Sequence, residues 1–284
     1  MDHGEILLFG GNTIEPWGST GGSDFPFSPI KGSVSEIGLA ARWSVQKFDS
    51  GVAFLGKNLQ GQVQVYRLDG YVPRVISSQE IDSHINGYGT VSDATSMSFM
   101  DRGHPLYIIN FPSAGKSWMY DASTNMWSPR ESGLAGDRYH GEMAIDYINK
   151  IRIADYSDGS ICTLDATAYT ENGTAIAREI IGKHFFADYN RVIVDELRVD
   201  FETGVGLNSG QGSNPQAMLS ISKNNGHTFG TELWVSIGAI GAYFARAVWR
   251  RLGMGRDWVF KIRVTDPVPV VITGAAIRAT DVGT

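Results

Sequence analysis

The sequence has little that would support a secreted, membrane-spanning or metal-binding protein. Its 284 residues include one cysteine, Cys162, which can form neither an internal disulfide nor a cysteine-based metal site. No run of about 18 apolar residues predicts a membrane-spanning helix. The start, MDHGEILLFGGN, lacks the basic and apolar regions of a signal peptide. We therefore expect an intracellular or virion protein rather than a small disulfide-stapled secreted domain.

Helical periodicity is almost absent as well. The nearest candidate, residues 137–148, is weakened by Tyr139, His140 and Gly141. Short alternating runs dominate instead, separated by Gly, Asn and Asp, and the 34 glycines make up about 12% of the chain against a usual 7%. One such pair flanks Asp158-Gly159, which supplies the turn conformation of a β-hairpin. These patterns predict an all-β fold.

A weak repeat favours a β-propeller. Four strand-like runs end in a large apolar residue followed by an acid: Ile14-Glu15, Leu68-Asp69, Tyr120-Asp121 and Leu164-Asp165. The acids are spaced by 54, 52 and 44 residues, close to the length of a four-stranded blade. We expect one β-propeller-like domain over residues 1–284 with about five to seven blades. Regular blades would occupy 1–180, and C-terminal blades with a Gly-rich loop at 203–215 would occupy 181–284; a β-sandwich is the alternative.

Two local motifs support blades. Residues 118–127 (WMYDASTNMW) resemble the end of a kelch-type blade, in which Tyr120 and Trp127 would pack between blades. Residues 222–229 (SKNNGHTF) resemble the Asp-box hairpin of sialidase-like propellers, with Asn224 in place of Asp and Phe229 in place of Trp. Motifs of both kinds are structural far more often than catalytic.

No candidate catalytic motif is complete. Ala114-Gly-Lys-Ser117 resembles the end of a phosphate-binding loop, but Asn110 stands where its first glycine is needed and a strand follows. The histidines, at 3, 84, 104, 140, 184 and 227, show no metal-ligand spacing. The acids that a propeller glycosidase would use have no distinctive spacing either; they are Asp93, Asp101, Asp155 and Glu196. We predict a non-enzymatic protein without metal or cofactor; the alternative is a propeller glycosidase or carbohydrate-binding module.

One segment is strongly basic. Between Tyr243 and Arg263 six basic residues meet one acid, a local charge of +5, although the whole chain carries −6. The overall charge disfavours a general nucleic-acid binder. The segment is either a hairpin whose arginine stems cover apolar surface or a positive face for an acidic partner or DNA, with a protein favoured over DNA. The candidate subunit or partner interface comprises Arg246, Trp249, Arg250, Arg251, Arg256, Trp258, Lys261 and Arg263.

The same region resembles a known family. Residues 218–230 (MLSISKNNGHTFG), Glu232-Leu-Trp234, Ala247-Val-Trp-Arg-Arg-Leu-Gly253, Arg256-Asp257 and Thr265-Asp-Pro-Val268 are similar to the C-terminal region of packaged-DNA stabilisation proteins. These proteins are also called tail accessory factors or tail hubs of short-tailed bacteriophages. Weaker similarity continues through earlier segments, including Asp24–Phe27, Ser92-Asp-Ala94 and Phe111–Ser113, so that it spans nearly the whole chain.

The resemblance implies a structural role in the virion tail, with assembly in the host cytoplasm. Family members form a multimer, usually a homo-hexamer, below the portal and its adaptor ring. They close the DNA channel after packaging and carry the needle or tail fibres; contact with DNA in the channel would be non-specific. Family members are usually longer at the N-terminus. The resemblance therefore implies that the first blades are missing, shortened or supplied by another chain.

Overall fold

The computed structural model describes residues 5–187 and 190–283, which form twenty-seven strands and one helix. They divide into two compact units: Met1–Ser132 with Asp137–Leu164 (unit 1), and Gly133–Gly136 with Asp165–Thr284 (unit 2). Within the described residues no helix is long and apolar enough to cross a membrane. The expected all-β class is confirmed.

Unit 1 consists of short antiparallel strands and the helix. Its strands are β1 Ile6–Phe9, β2 Ile14–Ser19, β3 Phe27–Pro29, β4 Gly38–Leu39, β5 Gln46–Phe48, β6 Gly51–Lys57, β7 Val63–Asp69, β8 Val72–Val75, β9 Thr95–Asp101, β10 His104–Phe111, β11 Lys116–Asp121, β12 Met126–Pro129, β13 Glu131–Ser132, β14 Asp137–Arg138, β15 Gly141–Tyr147, β16 Lys150–Asp155 and β17 Ile161–Thr163. Helix α1, Gln79–Asn86, lies between β8 and β9 and is capped by Ser78, whose side chain accepts from the Ile81 N–H.

These strands form four successive blade-like sheets. Their orders are β1–β2–β3, then β4–β6–β7–β8 with β5 also on β6, then β12–β11–β10–β9, then β15–β16–β17; β13 and β14 make a separate short pair. Neighbouring residues of one strand serve different cores, because side chains alternate between the two faces of a sheet. Leu55 and Ile109 share the cluster between the second and third sheets. Phe54 packs toward the first sheet and Ile108 toward the fourth.

The kelch-like and Asp-Gly hairpins form as expected. Asn125 adopts a positive φ of 54° in the turn between β11 and β12, and its side chain accepts from the Tyr120 hydroxyl at 2.9 Å. The Tyr120 and Trp127 rings lie 5.1 Å apart, and the Trp127 indole donates to the Ile76 carbonyl. Gly159 has a φ of 74° in the turn between β16 and β17. The helical candidate at 137–148 is instead strand, in β14 and β15.

Unit 2 is a β-sandwich. Its strands are β18 Thr170–Glu171, β19 Thr174–Ala175, β20 Arg178–Ile181, β21 Phe185–Phe186, β22 Val192–Phe201, β23 Gln216–Ser222, β24 Leu233–Ser236, β25 Ala247–Gly255, β26 Asp257–Val264 and β27 Ile272–Asp281. One sheet has the order β25–β22–β27, and the facing sheet has the order β20–β26–β23–β24, with β21 also on β26. Both sheets contribute to a single apolar core. Residues 181–284, expected as further blades, thus form facing sheets, and the sandwich alternative describes this region.

Candidate partner interface

The basic segment crosses from one sheet of the sandwich to the other. β25 pairs with β22, whereas β26 pairs with β20 and β23, so the expected Arg- and Trp-rich hairpin is not formed. Trp249 of β25 and Trp258 of β26 both point into the core and are buried. The Trp249 indole donates to the Leu233 carbonyl at 2.7 Å. The two tryptophans therefore hold the sandwich together and offer no surface to a partner.

A β-bulge turns two neighbouring arginines outward. Val194 pairs with Gly253 and Glu196 pairs with Arg250, so Arg251 and Leu252 together oppose a single residue of β22. Arg251 takes up the extra residue with a positive φ of 57°. Leu252 is consequently buried in the core, while Arg250 and Arg251 are exposed.

Arg250 belongs to a row of charges across the outer face of the β25–β22–β27 sheet. Glu196 lies opposite Arg250 on one side and opposite Arg278 on the other. Its carboxylate is 2.9 Å from the Arg250 guanidinium and 3.7 Å from that of Arg278. One carboxylate therefore serves two exposed guanidinium groups, and the row keeps a net positive charge.

Three further arginines of the segment have no ion-pair partner in the part of the chain that the structure describes. Arg246 precedes β25, Arg251 occupies the bulge and Arg256 occupies the turn between β25 and β26; all three are exposed. Within residues 5–187 and 190–283 none of them forms an ion pair. With Arg250 and Arg278, they distribute exposed positive charge along β25, its flanking residues and the neighbouring part of β27.

Lys261 and Arg263 lie on the outer face of the opposite sheet, where acids neutralise them. Lys261 lies 3.6 Å from the Glu179 carboxylate and 4.8 Å from the Phe229 ring centre. Arg263 lies 3.6 Å from the Glu232 carboxylate and donates to the Leu134 carbonyl. The eight predicted interface residues are thus not one surface: two are core, two are paired on one face, and four are exposed arginines associated with the other sheet.

Sequence reasoning missed Arg278, which contributes as much exposed charge as Arg250. It lies 28 residues after Arg250 and outside the basic segment. Only the pairing of β27 with β22 brings it to Glu196. The alternation of β27 could have shown which residues share its face, but not which strand would lie beside it.

The Asp-box-like hairpin is a structural element. The Asn224 side chain accepts from the Thr228 N–H at 2.9 Å, and the Ser222 hydroxyl accepts from the Gly226 N–H at 3.0 Å. Lys223 donates to the Leu252 and Met254 carbonyls, and its ammonium lies 4.5 Å from the Trp258 ring centre. The hairpin therefore fastens the point at which the chain crosses between the sheets.

The acids considered for glycoside hydrolysis are dispersed and engaged locally. Asp93 accepts from the Ser113 N–H, Asp155 from the Ser157 N–H and hydroxyl, and Asp101 contacts its neighbour Arg102. No carboxylate lines the cavity of about 500 Å³ beside the Asp-box-like hairpin. In the part of the chain that the structure describes, which excludes His3, no three His, Cys, Asp or Glu side chains come together as a metal site.

Fold and site define a class of protein: a unit of blade-like sheets followed by a β-sandwich, with polar groups used in turns, ion pairs and an exposed arginine region. Two family models match. The one described as "Bacteriophage P22 Gp10, beta-propeller" covers residues 1–169, and the one described as "Bacteriophage P22 Gp10, beta-sandwich" covers residues 177–280. The chain belongs to the bacteriophage P22 Gp10 family of phage structural proteins, which confirms the resemblance found in its sequence.

The other comparisons add little. No curated protein matches the chain. Among solved structures, a glycoside hydrolase aligns at 10% identity and a TM-score of 0.26, covering 98% of this chain and 82% of the other. An arabinoxylan arabinofuranohydrolase of glycoside hydrolase family 43 from Bacillus subtilis aligns at 11% identity and a TM-score of 0.23, covering 99% and 76%. Likeness at this level carries no argument about function.

Proposed function

We propose that the chain is a non-enzymatic structural component of the phage tail or head-to-tail connector. It closes the DNA channel, stabilises packaged DNA and attaches distal tail parts. The observation that carries this proposal is the match of both units to one phage structural family, over residues 1–169 and 177–280. In this role the protein is a virion tail component assembled in the host cytoplasm, and it forms a homo-hexameric ring. Its partners are the portal or adaptor ring and the needle or tail-fibre proteins.

We further propose that the exposed arginines bind an acidic protein surface. Arg246, Arg251 and Arg256 have no ion-pair partner among the described residues, and Arg250 shares Glu196 with Arg278. Guanidinium groups bind carboxylates through paired hydrogen bonds, and charge complementarity sets orientation and rate of association. Glu196 and Asp200 lie among these cations, and the chain as a whole is acidic. Both features favour a protein partner over a nucleic-acid phosphate backbone.

The test replaces Arg250 and Arg251 together with glutamate. We expect the double variant to fold with an unchanged circular dichroism spectrum, because both side chains are exposed. It should lose binding to portal, adaptor or needle proteins in pull-down and light-scattering experiments. Arg74→Glu is the matched control, because Arg74 is an exposed unit 1 arginine paired with Asp69. A double variant that binds these partners normally would refute the interface, and a wild-type chain absent from purified virions would refute the function.

A glycosidase activity is the competing function, and no feature of the described residues favours it. The Asp-box-like hairpin, which is the motif that suggested this function, has a structural role in unit 2. A panel of chromogenic glycosides and a glycan array should give neither hydrolysis nor binding. Reproducible hydrolysis by the purified chain would overturn the non-enzymatic assignment.

A further inference from the structure

The last sheet of unit 1 has an uncovered apolar face. Residues of β15, β16 and β17 that share the outward face include Met143, Ile145, Tyr147 and Ile161, with exposures of 68, 61, 58 and 75%. The opposite face carries Ile153, which is buried against the preceding sheet. A contiguous apolar surface of this kind marks a contact site in a soluble protein.

Two cations lie on the same face. Arg152 sits between Ile145 and Thr163 in one cross-strand row, and Lys150 pairs with Tyr147 in the next. Arg152 donates to the Thr163 hydroxyl, and neither cation has an ion-pair partner among the described residues. The outward face of the last sheet is thus apolar and positively charged.

The first sheet of unit 1 has a matching outward face of opposite charge. Phe9 and Ile14 occupy its inner face, in the cluster shared with the second sheet. The pairing of β1 with β2 therefore places Leu8, Glu15 and Trp17 on the outer face. Trp17 contacts Phe25, which is 65% exposed, edge to face at 6.0 Å. Glu15 accepts from the Trp17 indole and has no ion-pair partner within the described residues.

We propose that these two end faces bind each other between copies of the chain, head to tail. Successive sheets inside unit 1 already pack face to face through apolar clusters, and the end faces present the same kind of surface. Charge selects which faces pair. When the outward face of the last sheet of one copy meets the outward face of the first sheet of another, Arg152 and Lys150 come close to Glu15. Two last faces would bring four cations together, and two first faces would oppose two carboxylates.

A head-to-tail contact leaves one free face at each end of a growing assembly. It therefore continues until the rotation closes a ring, or it extends as a filament. The inference rests on the proposed ring assembly, because it names the surfaces that join the copies.

Charge reversal and its rescue test the pairing. Glu15→Lys alone makes both faces positive, and Lys150→Glu with Arg152→Glu makes both negative. Each change should weaken self-association of the full chain by about tenfold or more in sedimentation velocity. The triple variant restores opposite charges and should recover the wild-type distribution of species. Ile145→Ser should weaken association, whereas Ile180→Ser, an exposed isoleucine of unit 2, should not.

The outcomes separate this inference from the proposed function. If the wild-type chain oligomerises but the reversals have no effect, or the triple variant is not rescued, the end-face contact is refuted while the tail role stands. A wild-type chain that stays monomeric at all concentrations also refutes it. The same holds if the charge reversals leave self-association unchanged and abolish only binding to a different protein. Mass spectrometry and immuno-electron microscopy of purified virions test the tail role independently.

Discussion

Ser44 provides the sharpest test of how unit 1 is held together. Its side chain is fully buried and makes two hydrogen bonds: the hydroxyl donates to the Ala41 carbonyl at 2.7 Å and accepts from the Leu55 N–H at 2.9 Å. Ser44→Ala leaves the Leu55 N–H of β6 without a partner inside the second sheet. A buried unsatisfied donor costs about 1–3 kcal/mol, and the lost bond to Ala41 adds about 1 kcal/mol. We therefore expect the free energy of unfolding of unit 1 to fall by about 2–4 kcal/mol.

Ser33→Ala is the matched control. The Ser33 hydroxyl also donates to a carbonyl three residues earlier, that of Ile30, but the residue is only half-buried and receives no backbone N–H there. Its loss should cost less than about 1 kcal/mol. Urea unfolding gives both free energies, and hydrogen exchange of the Leu55 amide reports the site directly. Equal effects of the two substitutions, or unchanged protection of Leu55, would refute the reasoning.

Three further predictions concern packing, pH and cooperativity. A Cβ on Gly38 would lie 1.9 Å from the Gly11 carbonyl oxygen. Gly38→Ala should therefore lower the free energy of unfolding of unit 1, measured in urea, by about 3 kcal/mol. Gly89→Ala is the control: its Cβ meets open space, so the same measurement should change little. Burial raises the pKa of Asp121. Hydrogen bonds from His104, Ser123 and Thr124 together lower it by more, so the net pKa lies below the usual value. The Asp121 carboxylate therefore stabilises the folded state above about pH 4, and this contribution is lost as pH falls through the lowered pKa. Asp121→Asn should flatten that part of an acid-unfolding curve. A curve unchanged by the substitution would contradict this prediction. The expectation of one domain over 1–284 stays a prediction: one calorimetric transition would support it, and two would assign separate cooperative units to the two compact regions.

Local chemistry predicted much of unit 1. The turns at Asn125 and Gly159 adopt the positive φ values that their residue types favour, and the Tyr120 and Trp127 rings meet as the kelch-like motif implies. Such features depend on residues within a few positions of one another. Helix α1 was missed because eight residues give too little periodicity to recognise, even with Ser78 as its cap.

The basic segment shows where local reasoning stops. Trp249 and Trp258 have the spacing of two strands of one hairpin, but the bulge at Arg251 and the turn at Arg256 send them to opposite sheets. The packing of the whole sandwich core, and not the segment itself, decides which strands pair. The same limit hid Arg278, whose role depends on a strand that precedes it by about eighty residues.

The shared carboxylate of Glu196 has a consequence for how an acidic partner would be received. In the free chain it relieves the repulsion between Arg250 and Arg278, yet it balances only one of the two charges. The row is therefore stable alone and still one carboxylate short. A partner that brings a single acid to this row completes an alternating line of charges without displacing any existing bond, so recognition there needs no rearrangement of the chain.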